Sequence, residues 1–87
     1  MYNMKKWFVY IVKCKDKTLY TGITTDVNRR LFEHNNSKKG AKYTRSRRPC
    51  KLVYYFEVSD RSSALKEEYR IKKLSRQDKL KLINSYS

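Results

Sequence analysis

The sequence predicts an α+β fold with the element order β-β-α-β-α-α. Three segments rich in β-branched and aromatic residues indicate strands, and three segments that follow a capping residue indicate helices. Three strands are too few for a doubly wound sheet, which favours the α+β class. The 87 residues are expected to form one domain, 1–87 with a core from about 7 to 84, because a chain this short buries only a modest core.

The first two predicted strands form a hairpin. Trp7 to Lys13, WFVYIVK, has little polar content and is typical of a mostly buried strand. The charged turn Cys14 to Thr18 follows, and Leu19 to Gly22 continues as a short second strand. The third strand is predicted at Lys51 to Val58, KLVYYFEV.

The first predicted helix begins after the hairpin. Thr25 or Asp26 can cap it, and it is expected to run to about Asn35. The polar and basic stretch 35–49 holds one of the two glycines and the only proline. This composition predicts a loop.

Two further helices are predicted after the third strand. Asp60 can cap a helix from about Arg61 to Leu74. Ser75, with Asp78 three residues later, forms a capping box for a last helix through about Asn84.

The charge of the chain indicates a polyanionic partner. Lys and Arg total 22 against 8 Asp and Glu, which gives a net charge of +14. Such a field suits nucleic acid. An anionic membrane is the weaker interpretation, because the basic residues are spread along the chain and no basic helix has a broad apolar face. No apolar run could span a bilayer and the N-terminus is charged too early for a signal peptide, so a cytoplasmic location is expected.

The two cysteines indicate neither a zinc site nor a disulfide framework. Cys14 and Cys50 are far apart, with no CxxC spacing and only one histidine in the chain. Free thiols, packed in the core, are expected.

The first predicted helix carries an arginine at the border of its apolar face. At about 3.6 residues per turn, His34 falls on that face with Arg30 beside it, whereas Arg29 and Glu33 pair on another face. A guanidinium fork there can hold two phosphate oxygens. The alternative is a surface arginine whose stem covers apolar area.

Two tyrosines and one glutamate stand out on other elements. Tyr10 and Tyr20 can lie on one face of the hairpin, although strand tyrosines usually serve packing. Glu68 falls near the centre of an apolar helix face and Glu67 nearer its edge. A carboxylate there needs a cation, a metal or hydrogen-bond donors, and a nearby Lys or Arg is the simplest partner.

The motifs together resemble the GIY-YIG nuclease domain, and in particular its small stand-alone bacterial members. The resemblance spans roughly Phe8 to Leu82. It rests on five segments in order: VYI at Val9–Ile11, YTG at Tyr20–Gly22, TDVNRRLFEHN, GAKYTRSRRP at Gly40–Pro49, and DRSSALKEEYRIKKLSR at Asp60–Arg76.

The resemblance implies a three-stranded antiparallel sheet flanked by helices and cleavage of phosphodiester bonds with one divalent metal. It assigns catalytic roles to the motif's two tyrosines, its arginine, a histidine one turn later and the metal-binding glutamate: Tyr10, Tyr20, Arg30, His34 and Glu68. Glu67 is the alternative metal ligand, and Asn84 is a candidate for a late asparagine of some members. Two positions depart from the motifs, since Phe8 stands at the first glycine and Thr21 replaces isoleucine.

The basic loop, defined as residues 38–48, is the predicted nucleic-acid contact. Its candidates are the basic residues Lys38, Lys39, Lys42, Arg45, Arg47 and Arg48, with Tyr43 available to stack on a base. The alternative is a solvated loop without a role. Since no element looks like a base-reading helix, structure preference is expected over sequence preference.

The sequence therefore predicts a metal-dependent DNA endonuclease, with a role in DNA repair or recombination, that uses Mg²⁺ or Mn²⁺. Tyr10 would be the general base, assisted by Tyr20, provided that nearby positive charge favours the phenolate. Arg30 would hold the phosphate and Glu68 the metal. The alternative is a non-catalytic module that binds DNA or RNA.

Overall fold

The computed structural model describes residues 6–86 and confirms the α+β class. Over this range a three-stranded antiparallel sheet is flanked by four helices. The strands are β1 (Trp7–Lys13), β2 (Leu19–Thr24) and β3 (Lys51–Val58). The helices are α1 (Val27–Asn36), α2 (Lys42–Arg45), α3 (Arg61–Lys72) and α4 (Arg76–Tyr86).

Most elements lie where the sequence predicts them. β1 and β3 have the predicted bounds, and β2 continues two residues beyond Gly22. The prediction of an uninterrupted loop over 35–49 is wrong, because α2 lies within it. The residue before α2, Ala41, has no side chain that could cap the helix, so the usual start signal is missing.

β1 is the central strand and determines how the two faces of the sheet are used. The strand order is β2-β1-β3, with both pairs antiparallel. Tyr10 lies opposite Gly22 on β2 and opposite Tyr55 on β3. Because side chains alternate along a strand, Val9 and Ile11 point to one face and Tyr10 to the other.

Each face of the sheet has its own buried cluster. On one face Val9, Ile11 and Tyr54 pack with Ala64 and Ile71 of α3, and α4 residues lie against this cluster. The second cluster consists of Tyr10, Val12, Cys14 and Cys50, with Leu31 of α1 packed against it. Both cysteines are free and buried, as predicted.

Side-chain caps fix where three helices begin. Asp26, one of the two candidates, caps α1 by accepting a hydrogen bond from the Arg29 amide at 3.0 Å. Asp60 caps α3 in the same way. Ser75, immediately before α4, caps that helix because its hydroxyl oxygen accepts a hydrogen bond from the Asp78 amide at 3.1 Å. The cap on α1 fixes where the helix begins and therefore the side of the helix on which Arg30 and His34 lie.

Candidate active site

Tyr10 lies at the centre of the candidate site. Its side chain is 2% exposed, and its hydroxyl lies 2.7 Å from Nε2 of His34. The ring lies over Gly22, where an added Cβ would come within 2.5 Å of the hydroxyl oxygen. A glycine on the neighbouring strand therefore makes room for the phenol.

His34 is fully buried and belongs to a directed chain of hydrogen bonds. The Thr44 hydroxyl donates to the carbonyl of Ala41 at 2.9 Å, so its oxygen accepts the proton on Nδ1 of His34, 2.7 Å away. Nε2 is then the unprotonated nitrogen and accepts the Tyr10 hydroxyl. The chain thus runs from Tyr10 through His34 and Thr44 to Ala41.

The pKa values of the two groups place the proton on Tyr10. Burial, followed by the charge of Arg30, lowers the pKa of His34 to about 4, so the ring is neutral at pH 7. Burial raises the pKa of Tyr10 to about 12, although Arg30 acts in the opposite direction. Arg30 thus favours the phenolate as expected, but burial outweighs its effect and the phenol keeps its proton at pH 7.

Arg30 connects Tyr10 to the end of α1. Its Nη1 donates to Oε1 of Glu33 and to the carbonyl of Lys39, each at 2.8 Å. Burial opposes its charge, but hydrogen bonds to Glu33 and Tyr10 outweigh burial and raise the pKa of Arg30. Arg29 is more exposed and approaches Glu33 only to 3.7 Å. The helix thus turns Arg30, rather than Arg29, toward Tyr10.

Tyr20 extends the site toward the basic loop. Its ring makes an edge contact with His34, with centroids 5.3 Å apart, and stacks on Tyr43 at 5.9 Å. The guanidinium of Arg47 lies 3.9 Å from the centre of the Tyr43 ring. Tyr43 is 38% exposed, so part of the ring remains open to solvent between these neighbours.

Glu68, rather than Glu67, acts electrostatically on Tyr10. Its negative charge contributes to the raised pKa of Tyr10, whereas the charge of Glu67 contributes to the raised pKa of Tyr54. Oε2 of Glu68 lies 3.1 Å from Nζ of Lys72, which is the nearby cation that the sequence favoured as its partner. Within residues 6–86, no cluster of three or more His, Cys, Asp or Glu could hold a metal ion.

The basic loop residues fall into two groups. Arg48 donates to the carbonyls of His34, Glu33 and Ser37 at the end of α1, and Arg47 pairs with Asp16. Both arginines therefore have structural partners besides their predicted role in phosphate contact. The remaining basic side chains are exposed: Lys38, Lys39, Lys42 and Arg45. Asn84 is exposed on α4, a helix that packs against β3.

The comparison with protein families identifies the fold. The model of the GIY-YIG catalytic domain matches residues 6–83. This chain belongs to the GIY-YIG family. The family is a nuclease superfamily, and the motifs that carry the resemblance lie on the elements described above.

Curated relatives cover most of this GIY-YIG chain. The UPF0213 protein DP2720 of Desulfotalea psychrophila is 61% identical over 79 residues, which cover 91% of this chain and 72% of the relative. The UPF0213 protein SERP0126 of Staphylococcus epidermidis is 59% identical over 80 residues, which cover 92% and 96% respectively. Similarity at this level extends over nearly the whole domain.

Two solved structures are similar to this GIY-YIG chain. The solution NMR structure of the UPF0213 protein BH0048 from Bacillus halodurans has 47% identity and a TM-score of 0.59, covering 91% of this chain and 83% of that one. The NMR structure of EF2693 from E. faecalis has 39% identity and a TM-score of 0.64, covering 99% and 91%. They support the three-stranded sheet with helices.

Sequence reasoning missed two contacts of this GIY-YIG site. Thr44 orients His34, and Gly22 accommodates Tyr10. The pair of Glu68 with Lys72, by contrast, agrees with the predicted Lys or Arg partner, and the spacing of four residues on a helix was its readable signal. Thr44 had no such signal, because it comes from the segment in which a helix was not predicted.

Within the described range, no helix is long and apolar enough to cross a membrane.

Proposed function

We propose that this protein is a metal-dependent endonuclease that hydrolyses phosphodiester bonds in DNA and prefers structure to sequence. The observation that carries the proposal is that Tyr10 forms hydrogen bonds with His34 and Arg30, that Tyr20 packs against His34, and that the charge of Glu68 acts on Tyr10. DNA repair or recombination in the cytoplasm is the setting that such an activity would serve.

Arg30 would bind the scissile phosphate. A guanidinium has five N–H donors, so one that gives Nη1 to Glu33 and Lys39 can still contact phosphate oxygens. Its partial burial strengthens this attraction relative to an arginine in water. Lysine could supply the charge but not the planar fork.

Tyr10 and His34 would move the proton of the attacking water. As the water oxygen bonds to phosphorus, its proton passes to the Tyr10 oxygen while Tyr10 gives its own proton to Nε2 of His34. A phosphate bound to Arg30 would offset the positive charge that helps to lower the pKa of His34. Substrate binding would thus make His34 a better proton acceptor than it is in the free protein.

Glu68 would hold the divalent cation, Mg²⁺ or Mn²⁺. One carboxylate fits Mg²⁺, which keeps several waters and commonly takes further ligands from substrate phosphates. When bound, the cation would offset negative charge on the phosphate and on the leaving 3′ oxygen. The ammonium of Lys72 lies 3.1 Å from Oε2, so it would compete with the cation for that oxygen.

The exposed part of the basic loop would contact the nucleic-acid backbone. Lys38, Lys39, Lys42 and Arg45 are exposed, and the Tyr43 ring on the same loop is partly open to solvent. Contacts of this kind recognise phosphates and base faces rather than base edges. They support a preference for structure, and they would serve RNA as well as DNA.

One observation favours a non-catalytic nucleic-acid-binding module as the second candidate. In the free protein the carboxylate of Glu68 is already paired with the ammonium of Lys72, so the proposed metal ligand has a cation of the protein itself as its partner. A module that only binds would use the same charge and the same basic loop without any metal.

The deciding experiment compares the wild type with Glu68→Gln and Glu67→Gln. End-labelled single-stranded, duplex and branched DNA and one RNA are incubated with each protein in Mg²⁺, Mn²⁺ or EDTA. We expect cleavage that requires metal and falls about a hundredfold or more in Glu68→Gln. Glu67→Gln is the matched control, because it removes the adjacent carboxylate, which pairs with Arg70, and it should cut within about twofold of the wild type.

The outcomes separate the two candidates. Binding of these substrates without cleavage by the wild type would support the module, and equal cleavage by wild type and Glu68→Gln would contradict the metal role of Glu68. Mn²⁺ binding, measured by electron paramagnetic resonance, gives a second readout. It should be lost in Glu68→Gln whether or not the preferred substrate is present.

A further inference from the structure

The two cysteines meet where the β1–β3 ladder ends. Its last pair in register is Lys13 with Lys51, so Cys14 and Cys50 are the next residues on the two segments. Their sulfur atoms lie 3.7 Å apart, and the side chains are only 4% and 5% exposed. Neither thiol has a part in the proposed hydrolysis, although both belong to the buried cluster that includes Tyr10.

The backbone geometry suits a bond between these sulfurs. Residues opposite each other on antiparallel strands have Cα atoms about 4.5 to 5.5 Å apart, which falls within the range of disulfides. A disulfide sulfur pair is about 2.05 Å apart, so the two sulfurs must approach by roughly 1.6 Å. Rotation about the Cα–Cβ bonds can supply that approach without a rearrangement of the strands.

We propose that Cys14 and Cys50 form an intramolecular, reversible disulfide when the protein is exposed to hydrogen peroxide. One thiol reduces hydrogen peroxide to water and becomes a sulfenic acid. The sulfur of the other cysteine attacks it, forms the S–S bond and releases a second water. Two thiols and one peroxide thus give one disulfide and two waters.

The surroundings of the pair predict a slow reaction. Burial, followed by the hydrogen bond and charge of Cys14, raises the pKa of the Cys50 thiol to about 12. The thiolate is the reactive form, so little of Cys50 is reactive at neutral pH. Both side chains are also almost fully buried, so the pair stays reduced in a reducing cytoplasm and oxidises only under sustained exposure to peroxide.

The disulfide would tie together two elements of the candidate site. Cys14 follows the strand that carries Tyr10. Asn35 of α1 holds Cys50 with two hydrogen bonds. Its side-chain oxygen accepts one from the Cys50 amide at 2.6 Å, and its side-chain nitrogen donates one to the Cys50 carbonyl at 2.9 Å. Asn35 is the neighbour of His34, so the bond would reinforce the contact between Tyr10 and His34. Oxidation would thus stabilise the site rather than open it.

The test compares the reduced full-length protein with the same protein after treatment with hydrogen peroxide. We expect both thiols to disappear in a thiol assay, the intact mass to fall by two hydrogen atoms and no disulfide-linked dimer to form. The disulfide closes a segment with a sequence separation of 36 residues, so the melting temperature should rise by roughly 10 °C or more. Dithiothreitol should reverse all these changes.

Cys50→Ser is the matched control, because peroxide should not raise its melting temperature. A gain of oxygen mass without S–S formation, a disulfide-linked dimer, or an unchanged or lower melting temperature in the oxidised wild type would overturn the proposal. The comparison within the wild type decides the question even if the variant folds poorly. None of these measurements depends on nuclease activity, so the result is independent of the proposed function.

Discussion

Gly22 is the single residue on which the placement of Tyr10 depends most directly. Gly22→Ala would put a Cβ 2.5 Å from the Tyr10 hydroxyl oxygen and 2.8 Å from Cζ, and Tyr10 is too deeply buried to move freely. We expect a loss of about 1 to 3 kcal/mol in the free energy of unfolding, measured by urea denaturation. The displaced ring should also change the NMR signals of His34.

A double-mutant cycle with Tyr10→Phe provides the control. Removing the hydroxyl removes the closest of the clashes, so Gly22→Ala should cost about 1 kcal/mol less in the Tyr10→Phe background. Equal costs in both backgrounds would show that the contact with the hydroxyl contributes nothing to the strain.

The site shows which single residues a sequence can place. Tyr10 and Tyr20 follow from strand alternation and the hairpin, and the helical phase distinguishes Arg30 from Arg29. The pKa of Tyr10 could not be predicted, because burial opposes the effect of Arg30 and the extent of burial depends on tertiary packing. The catalytic roles of these residues stay predictions.

At the scale of elements, Arg48 ties the basic loop to α1. It donates at 2.6 Å to the carbonyl of His34 and also to those of Glu33 and Ser37, at the end of the helix where carbonyls lack amide partners of the next turn or share them. Arg48→Ala should lower the free energy of unfolding by about 1 to 3 kcal/mol in urea denaturation, because these half-buried carbonyls would lose a charged donor.

Arg45→Ala is the matched control for Arg48→Ala. Arg45 is exposed on the same loop, so its removal should change stability by less than about 0.5 kcal/mol. It should instead weaken DNA binding and reduce the slope of log affinity against log salt by about one. A larger loss of stability in Arg45→Ala than in Arg48→Ala would reverse the two assignments.

The elements that the sequence predicts best are those with local signals. β1 and β3 have continuous apolar runs, and α1, α3 and α4 have side-chain caps, so their beginnings are readable. α2 has four residues and no side-chain cap, so it depends on contacts such as that between Thr44 and His34. Such contacts between distant segments leave no periodic pattern in the sequence.

Across the whole molecule, each of the 8 acidic residues forms an ion pair, caps a helix or lies in the first turn of a helix. Five are ion-paired with Lys or Arg, two cap helices and one lies in the first turn of α4. The ion-paired residues are Asp16, Glu33, Glu57, Glu67 and Glu68. The helix caps are Asp26 and Asp60, and Asp78 lies in the first turn of α4. The net charge of +14 therefore remains as a surplus of cations, which attracts a polyanion and repels itself in the free protein.

The same balance of charge and burial makes stability depend on pH through His34, the only histidine. Its pKa falls from 6.5 to about 4 on folding, so between these values the unfolded chain binds a proton that the folded chain does not. The contribution of His34 to the free energy of unfolding is fully present above about pH 6.5 and is lost as the pH falls toward 4. The pKa values of Asp16, Glu33, Asp60 and Glu67 are also lowered, but these carboxyl groups lose their contribution at more acidic pH.

We therefore expect the free energy of unfolding, measured in urea at a series of pH values, to fall by about 1.4 kcal/mol per pH unit below about pH 6, and by roughly 3 kcal/mol in total at most. Titration of the His34 ring by NMR should give a midpoint near 4, as its burial and the charge of Arg30 require. His34→Gln should abolish the slope between pH 6.5 and 5 while leaving the acidic transition of the carboxyl groups. A wild-type stability that stays constant from pH 6.5 to 5 would mean that His34 is protonated as readily in the folded protein as in the unfolded chain. Below about pH 6.5 most His34 rings would then carry a proton on both nitrogens and could not accept the Tyr10 hydroxyl at Nε2.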